Sequence, residues 1–413
     1  MGASSAGTAS PAGTASPAST ASPAGTASPA GTVPVASGSP VPETASLASP
    51  EPASPGRAGR RQFRELAVAQ VDRLCDDAVA VTFDVPPELA AEFTFRAGQS
   101  LTLRRVVGGR EERRSYSICA PAGHAPRIGV REVPGGMFSS WLVRQVRPGD
   151  RIDVQPPAGS FTTDLSTPAR HVLIAAGSGI TPVLSLAASA LAQAGARATV
   201  LYGNRRAGSV MFAEEIADLK DAHPARLQLV HVLSREPQEV ELFSGRLDAA
   251  RLRRLLPATV DVAGVDHWWL CGPFGMVTDA LSVLAELGVP EQRIHRELFY
   301  VEAAPPEQDR HPDADQEQAP AGGSAVTVIL DGRTTTTRIG PGTPVLDGAQ
   351  RVRPDLPFAC KGGVCGTCRA RLTAGEVRMR RNFALDPAEV AAGYVLTCQS
   401  LPVSGELTVD YDA

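Results

Sequence analysis

"CKGGVCGTC", residues Cys360 to Cys368, places three of the chain's seven cysteines in nine positions, and a fourth follows at Cys398 in "GYVLTCQS". An odd number of cysteines in 413 residues argues against a disulfide framework. The chain starts with no basic segment leading into an apolar one, and no apolar run is long enough to span a bilayer. A cytoplasmic protein with reduced thiols is expected, and clustered thiols then point to metal. Four residues separate Cys360 from Cys365, two separate Cys365 from Cys368, and 29 more lead to Cys398. That is the ligand spacing of a [2Fe–2S] cluster held by four thiolates, whereas structural zinc usually takes two close pairs. Gly362, Gly363 and Gly366 let the loop wrap tightly and turn backbone N–H groups toward the cluster sulfurs.

The flanks agree with a small β-rich module. "AVTVILDGRTTTTRIG" (325–340) predicts two short strands around an Asp-Gly turn, "GTPVLDGAQRV" (342–352) a short helix, and "GELTVDY" (405–411) a closing strand. Residues 324–413 therefore resemble a plant-type ferredoxin domain with a β-grasp fold.

A carrier of single electrons needs a donor upstream. Residues 1–61 are built largely from Ala, Ser, Pro, Thr and Gly, with four copies of "TASPAG" or "TASPAS" between Thr8 and Gly31. Such a segment has too little apolar surface to offset chain entropy and is expected to be a disordered tail. Residues 303–323, "AAPPEQDRHPDADQEQAPAGG", are Pro-rich and acidic and predict a flexible linker. What lies between has room for two domains of ordinary size.

The second of these, 166–302, alternates apolar strands with helices, which predicts an α/β domain with a parallel sheet. Its strands are "HVLIAAG", "ATVLYGN", "LQLVHVLS" and "HWWLCGP". After the first comes "GSGITP", where Gly177 and Gly179 suit a tight turn close to a pyrophosphate and Pro182 suits the first turn of the helix. The first domain, 62–165, shows short strands at the spacing of a small antiparallel barrel. Within it "RSYS" (114–117) and "VPGGMFSS" (133–140) bring an arginine, a glycine turn and a helix N-terminus into one phosphate-binding pattern.

In this order the motifs resemble the ferredoxin–NADP reductase superfamily, a flavin barrel and a nicotinamide domain, here fused to a ferredoxin. The resemblance rests on "RSYS", "GGMFS", "PAGSF", "GSGITP", "LYGNR", "LSRE", "CGP" and "HRELF". This is the layout of reductase components of multicomponent oxygenases. "FACKGGVCGTCRARL", "AAGYVLTCQSLP" and the ending "VDYD" are similar to the reductase subunits of phenylacetyl-CoA epoxidases, enzymes of phenylacetate catabolism.

The resemblance implies roles. Arg114 would pair with a flavin phosphate, Tyr116 would pack on the isoalloxazine, and Ser117 would hydrogen-bond near N5. Gly135, Gly136, Met137 and Ser139 would hold the pyrophosphate of FAD, with FMN the less expected flavin. Phe299 would shield the ring, and Cys271, with Gly272 and Pro273, would sit beside the nicotinamide. Gly177, Gly179, Thr181 and Pro182 would line the dinucleotide turn. Cys75 and Cys119 are most simply small apolar residues of the barrel.

NADPH is the expected coenzyme. Arg205 and Arg206 after one strand, and Ser234 and Arg235 after the next, suit a 2′-phosphate; solvated loop charges are the plainer alternative, and Glu236 cuts against the pattern. A net charge of −4 gives no support to nucleic-acid binding, and the seven histidines form no metal spacing. Lys361 to Arg381 holds six basic residues, which suits an acidic partner or simple solvation. The expected function is electron transfer from NADPH through FAD and the cluster to a separate oxygenase, the phenylacetyl-CoA epoxidase. A ring-hydroxylating or steroid-hydroxylating oxygenase is the alternative acceptor, and a non-enzymatic redox sensor would leave the flavin motifs idle.

Overall fold

The computed structural model describes residues 62–107, 110–299, 322–385 and 387–413. The repeat-rich segment 1–61 and all but the last two residues of the expected linker 303–323 lie outside these. Three sheets of four or more strands are built in chain order.

The first comprises β1 (Arg64–Cys75), β2 (Ala78–Asp84), β3 (Ser100–Val107), β4 (Arg110–Ser117), β5 (Arg127–Arg131) and, after helix α1 (Met137–Arg144), β6 (Arg151–Val154). The order is β4-β3-β6-β1-β2-β5 and every pairing is antiparallel. A bridge from Ile118, just past β4, to Ile128 of β5 closes the sheet on itself as a barrel. Leu66, Val81, Leu101, Leu103, Ile118 and Ile128 fill its interior with no exposed surface.

The second sheet joins β7 (Arg170–Ala176), β8 (Arg197–Asn204), β9 (Leu227–Leu233), β10 (His267–Gly272) and β11 (Ile294–Leu298) in the order β11-β10-β7-β8-β9. All four pairings are parallel. Helices α2 (Ile180–Leu191), α3 (Ala213–Ala222), α4 (Ala249–Thr259) and α5 (Phe274–Glu286) make the crossovers. The chain reversal after β7 lies at the carboxyl edge, where β7 and β10 are neighbours and β8 leads away, the place where open α/β sheets bind ligands.

The third sheet has the order β13-β12-β18-β14-β16, formed by β12 (Ser324–Leu330), β13 (Arg333–Ile339), β14 (Arg369–Ala374), β16 (Tyr394–Leu396) and β18 (Glu406–Asp410). A small ribbon of β15 (Val377–Met379) and β17 (Ser400–Pro402) stands beside it. The β12–β13 turn is Asp331-Gly332, both at positive φ (52° and 69°), which fits a two-residue hairpin turn of the type that Asp-Gly favours. The first and last strands, β12 and β18, run parallel side by side, and the short helix Val345–Ala349 packs its apolar side under them. Among the described residues no helix is long and apolar enough to cross a membrane.

Candidate functional site: one cleft between barrel, parallel sheet and cysteine loop

Alternation along β4 sends successive side chains to opposite faces, so Ser117 and Tyr116 diverge. Tyr116 packs toward Phe138 of α1, ring centroids 6.1 Å apart, and burial raises its phenol pKa. Arg114 is 46% exposed, with Nη1 3.1 Å from Glu112 Oε2, so its charge remains accessible at the rim. Gly135 holds φ at +74°, and a Cβ on Gly136 would come within 2.8 Å of Ser139 Oγ and 3.0 Å of Val133 O. The Ser139 hydroxyl accepts the Val133 N–H at 3.0 Å and thereby fixes the turn ahead of α1, while Met137 projects outward, 58% exposed. Arg114, Tyr116, Ser117, Gly136, Met137 and Ser139 all line one cleft of about 1430 Å³.

Across the cleft stands the parallel sheet. Gly177 turns the chain after β7 at φ +56°. Gly179 is also required by packing: a Cβ there would lie 2.1 Å from the Cys271 carbonyl oxygen of β10. Thr181 Oγ1 donates to Ser178 O at 2.6 Å, and Pro182 is the third residue of α2, where its missing N–H has no intrahelical partner to lose. Gly272 ends β10, and Pro273 leads into α5 in extended conformation.

Ser117 and Cys271 converge on a residue to which the sequence motifs assign no role. Ser117 Oγ donates to Glu297 Oε2 at 3.0 Å, and the Cys271 thiol lies 4.0 Å from the same oxygen. Burial raises the Glu297 carboxyl to about 7, against a smaller opposing pull from the Ser117 hydroxyl. Burial also raises the Cys271 thiol well above its usual range, and Glu297 adds to this. Thus β4, β10 and β11 bring a hydroxyl, a buried thiol and a carboxyl with its pKa raised to about 7 together, with Ser117 and Glu297 on the cleft wall and Cys271 behind them. Glu297 lies in the quoted "HRELF"; an acid on a short strand beside the buried core was the available signal. Phe299, two residues on, also lines the cleft.

At the far edge of the sheet, the Ser234 N–H donates to Asn204 O (2.9 Å) and the Arg235 N–H to Arg205 O (2.8 Å). The two loops are thereby stitched together, with Arg205, Arg206 and Arg235 exposed. Glu236 is tied to the same loop, where its Oε2 accepts the Ala207 N–H at 2.9 Å.

The cysteine loop closes the cleft's third side, where Cys360 and Cys365 line it. The four thiols fall into two pairs. Hydrogen bonding from Cys365 lowers Cys360 to about 5, assisted by the amides of Gly362, Val364 and Cys365. Likewise the Cys368 thiol holds Cys398 below its ordinary value, with Gln399 and the Gly363 amide assisting. Gly362 N lies 3.3 Å from Cys360 Sγ. Gly363 and Gly366 have φ of +80° and +65°, and so does a residue that composition would not suggest, Lys361 at +50°. Among the described residues no three His, Cys, Asp or Glu gather tightly enough for a single metal ion. Two pairs of sulfurs are instead the donor set of a two-iron cluster, two thiolates to each iron. The residues present fit that group.

Comparison with known proteins agrees along the whole described chain. Residues 65–163 match the family described as "Oxidoreductase FAD-binding domain", 173–282 "Oxidoreductase NAD-binding domain", and 328–403 "2Fe-2S iron-sulfur cluster binding domain". The chain is 39% identical over 358 residues to one of the subunits of the 1,2-phenylacetyl-CoA epoxidase of Escherichia coli (strain K12), covering 85% of this chain and 98% of that one. It is 33% identical to the "3-ketosteroid-9-alpha-monooxygenase, ferredoxin reductase component" of Rhodococcus rhodochrous, covering 84% of this chain and 96% of that one. Among solved structures, phthalate dioxygenase reductase shares the fold with a TM-score of 0.53 at 23% identity, over 84% of this chain and 98% of that one. With three cofactor-domain matches in this order and full-length relatives at such identity, the chain belongs to the family of NAD(P)H-dependent flavin and [2Fe–2S] oxidoreductases that includes the reductase components of oxygenases.

Proposed function

We propose that this protein is the NADPH-dependent reductase of a phenylacetyl-CoA epoxidase, acting in the cytoplasm and delivering electrons to a separate oxygenase component. One observation carries the electron-transfer part: Tyr116 and Ser117 of the barrel, Phe299 after the parallel sheet, and Cys360 and Cys365 all border a single cleft. When bound, NADPH supplies a hydride, FAD can take up that electron pair, and a [2Fe–2S] cluster carries electrons singly. The residues then have positioning work. Gly135, Gly136, Met137, Ser139 and Arg114 would hold the FAD phosphates, and Tyr116 and Phe299 would bound the ring. Gly177, Gly179, Thr181, Pro182, Gly272 and Pro273 would shape the nicotinamide side, where Cys271 excludes water. Glu297 can take or give a proton through Ser117 Oγ, which flavin reoxidation requires.

The preference for the 2′-phosphate is supported by Arg205, Arg206, Ser234 and Arg235 gathered at one edge, with one oxygen of Glu236 held by the Ala207 N–H. Identity of 39% to the epoxidase relative, against 33% to the steroid monooxygenase reductase, favours the epoxidase as acceptor. Reconstitution decides it: purified reductase is mixed with each oxygenase and substrate-dependent NADPH oxidation is followed. Faster coupling to the steroid hydroxylase than to the epoxidase would reassign the partner.

A further inference from the structure

Arg113 is a barrel residue of β4 with only 4% of its surface exposed, and the cysteine-bearing module touches it directly. Its Nη1 donates to the carbonyl of Leu356 at 3.3 Å, and its guanidinium lies 4.8 Å from the Phe358 ring centroid, two residues before Cys360. Phe63 of the barrel approaches the same guanidinium at 5.1 Å, and Glu111 neutralises it through Nε at 2.6 Å. The other cation at Phe358 is Lys361, 4.8 Å from the centroid and itself paired with Asp347 at 2.8 Å. An arginine buried between two modules is costly unless its charge and N–H groups are met, and Glu111, Leu356 O and the two rings meet them here.

A second contact grips the other side of the cluster loop. Phe383 meets Phe274 edge-on at 5.1 Å, and both Phe383 and Val364 pack against the core of the parallel-sheet domain. The Phe383 N–H donates to Gly363 O at 3.1 Å, which ties this anchor directly to the cysteine loop. One module is therefore held at two points, one from each of the other two.

We propose that Arg113 and the Phe274–Phe383 contact are positioning elements that seat the cluster loop at the flavin cleft and so set the rate of internal electron transfer. This rests on the electron-transfer function proposed above.

The test uses full-length holoenzyme carrying Arg113→Ala, Arg113→Lys or Phe383→Ala. In anaerobic stopped flow, NADPH should bleach the flavin at the wild-type rate in all three. Subsequent cluster reduction should slow by about tenfold or more in the alanine variants, and less in Arg113→Lys, which keeps a cation at Phe358. Small-angle X-ray scattering of the same proteins, which does not depend on turnover, should show a larger maximum dimension for both alanine variants. Wild-type cluster reduction in both, or unchanged scattering in both, overturns the seat. If Arg113→Ala damages the barrel and slows flavin bleaching, Phe383→Ala, on a different module, decides. A wild-type protein whose flavin NADPH cannot reduce would instead refute the electron-transfer function, and scattering would still judge the seat.

Discussion

At the scale of single residues, the site combines groups that act near to one another with groups whose meaning depends on distant contacts. Cys365 is of the first kind. Cys365→Ser should remove iron and the visible cluster absorbance, because a neutral hydroxyl is a poor replacement for a thiolate; NADPH-driven ferricyanide reduction through the flavin should persist, and loss of both activities would contradict separate roles. Glu297 is of the second kind. As its folded pKa is raised to about 7, the unfolded chain releases this proton first, so the stability tied to it is complete at low pH and lost as pH rises toward 7. Glu297→Gln should flatten that stretch of a melting-temperature profile and slow flavin reoxidation by about 10²-fold, the usual worth of a positioned acid–base group. An unaltered pH profile would show that Glu297 is not the titrating group. Arg235→Ala should weaken NADPH but not NADH, by roughly 1.5–3 kcal/mol for a lost charge-assisted contact, as measured from the two KM values. The cysteines were legible because ligand spacing is local. Glu297 was not, since the hydroxyl that defines it comes from Ser117, 180 positions away.

At the scale of elements, regular patterns were legible and interrupted ones were not. Strands β7, β8, β9 and β10 of the parallel sheet read as apolar runs because helices cover both faces. β1 does not read as an alternating strand because register shifts at Val68/Gln70 and Arg73/Cys75 break its alternation. α4 carries Pro257, which counts against a helix by sequence, although Asp248 caps its start by accepting the Arg251 N–H at 2.9 Å. Gly179 tests one contact between elements: Gly179→Ala would drive a methyl into the Cys271 carbonyl and should destabilise by about 1–3 kcal/mol, seen as a lower Tm. Another test lies at the opposite edge of the sheet, where His171 stacks on His267 and His295 stacks on Trp269. Burial lowers His171 and His295 to about 4, with His267 adding to both, while Asp266 opposes this at His171. These rings fold best neutral, so the stability they allow is full above about 6.5 and is lost as pH falls toward 4. A His171→Gln/His295→Gln double variant should show a smaller fall in Tm between pH 7 and pH 5 than the wild type.

At the scale of the whole molecule, three sheets with separate interiors meet at one cleft. Each module has its own period and its own turn chemistry, which composition and motif order can register. Their mutual placement was not legible: Arg113 reads as one more basic residue in "REERRSYS", and only the fold presents it to Phe358. That placement also bears on a side reaction. Reduced flavin that waits for its electrons to leave is exposed to dioxygen, which takes two electrons and two protons to become hydrogen peroxide. A well-seated cluster loop drains the flavin before this happens, so it acts as a safeguard against wasteful oxidation as well as a conduit. Loosening the seat should therefore raise the peroxide released per NADPH consumed in air, even where NADPH consumption itself is unchanged.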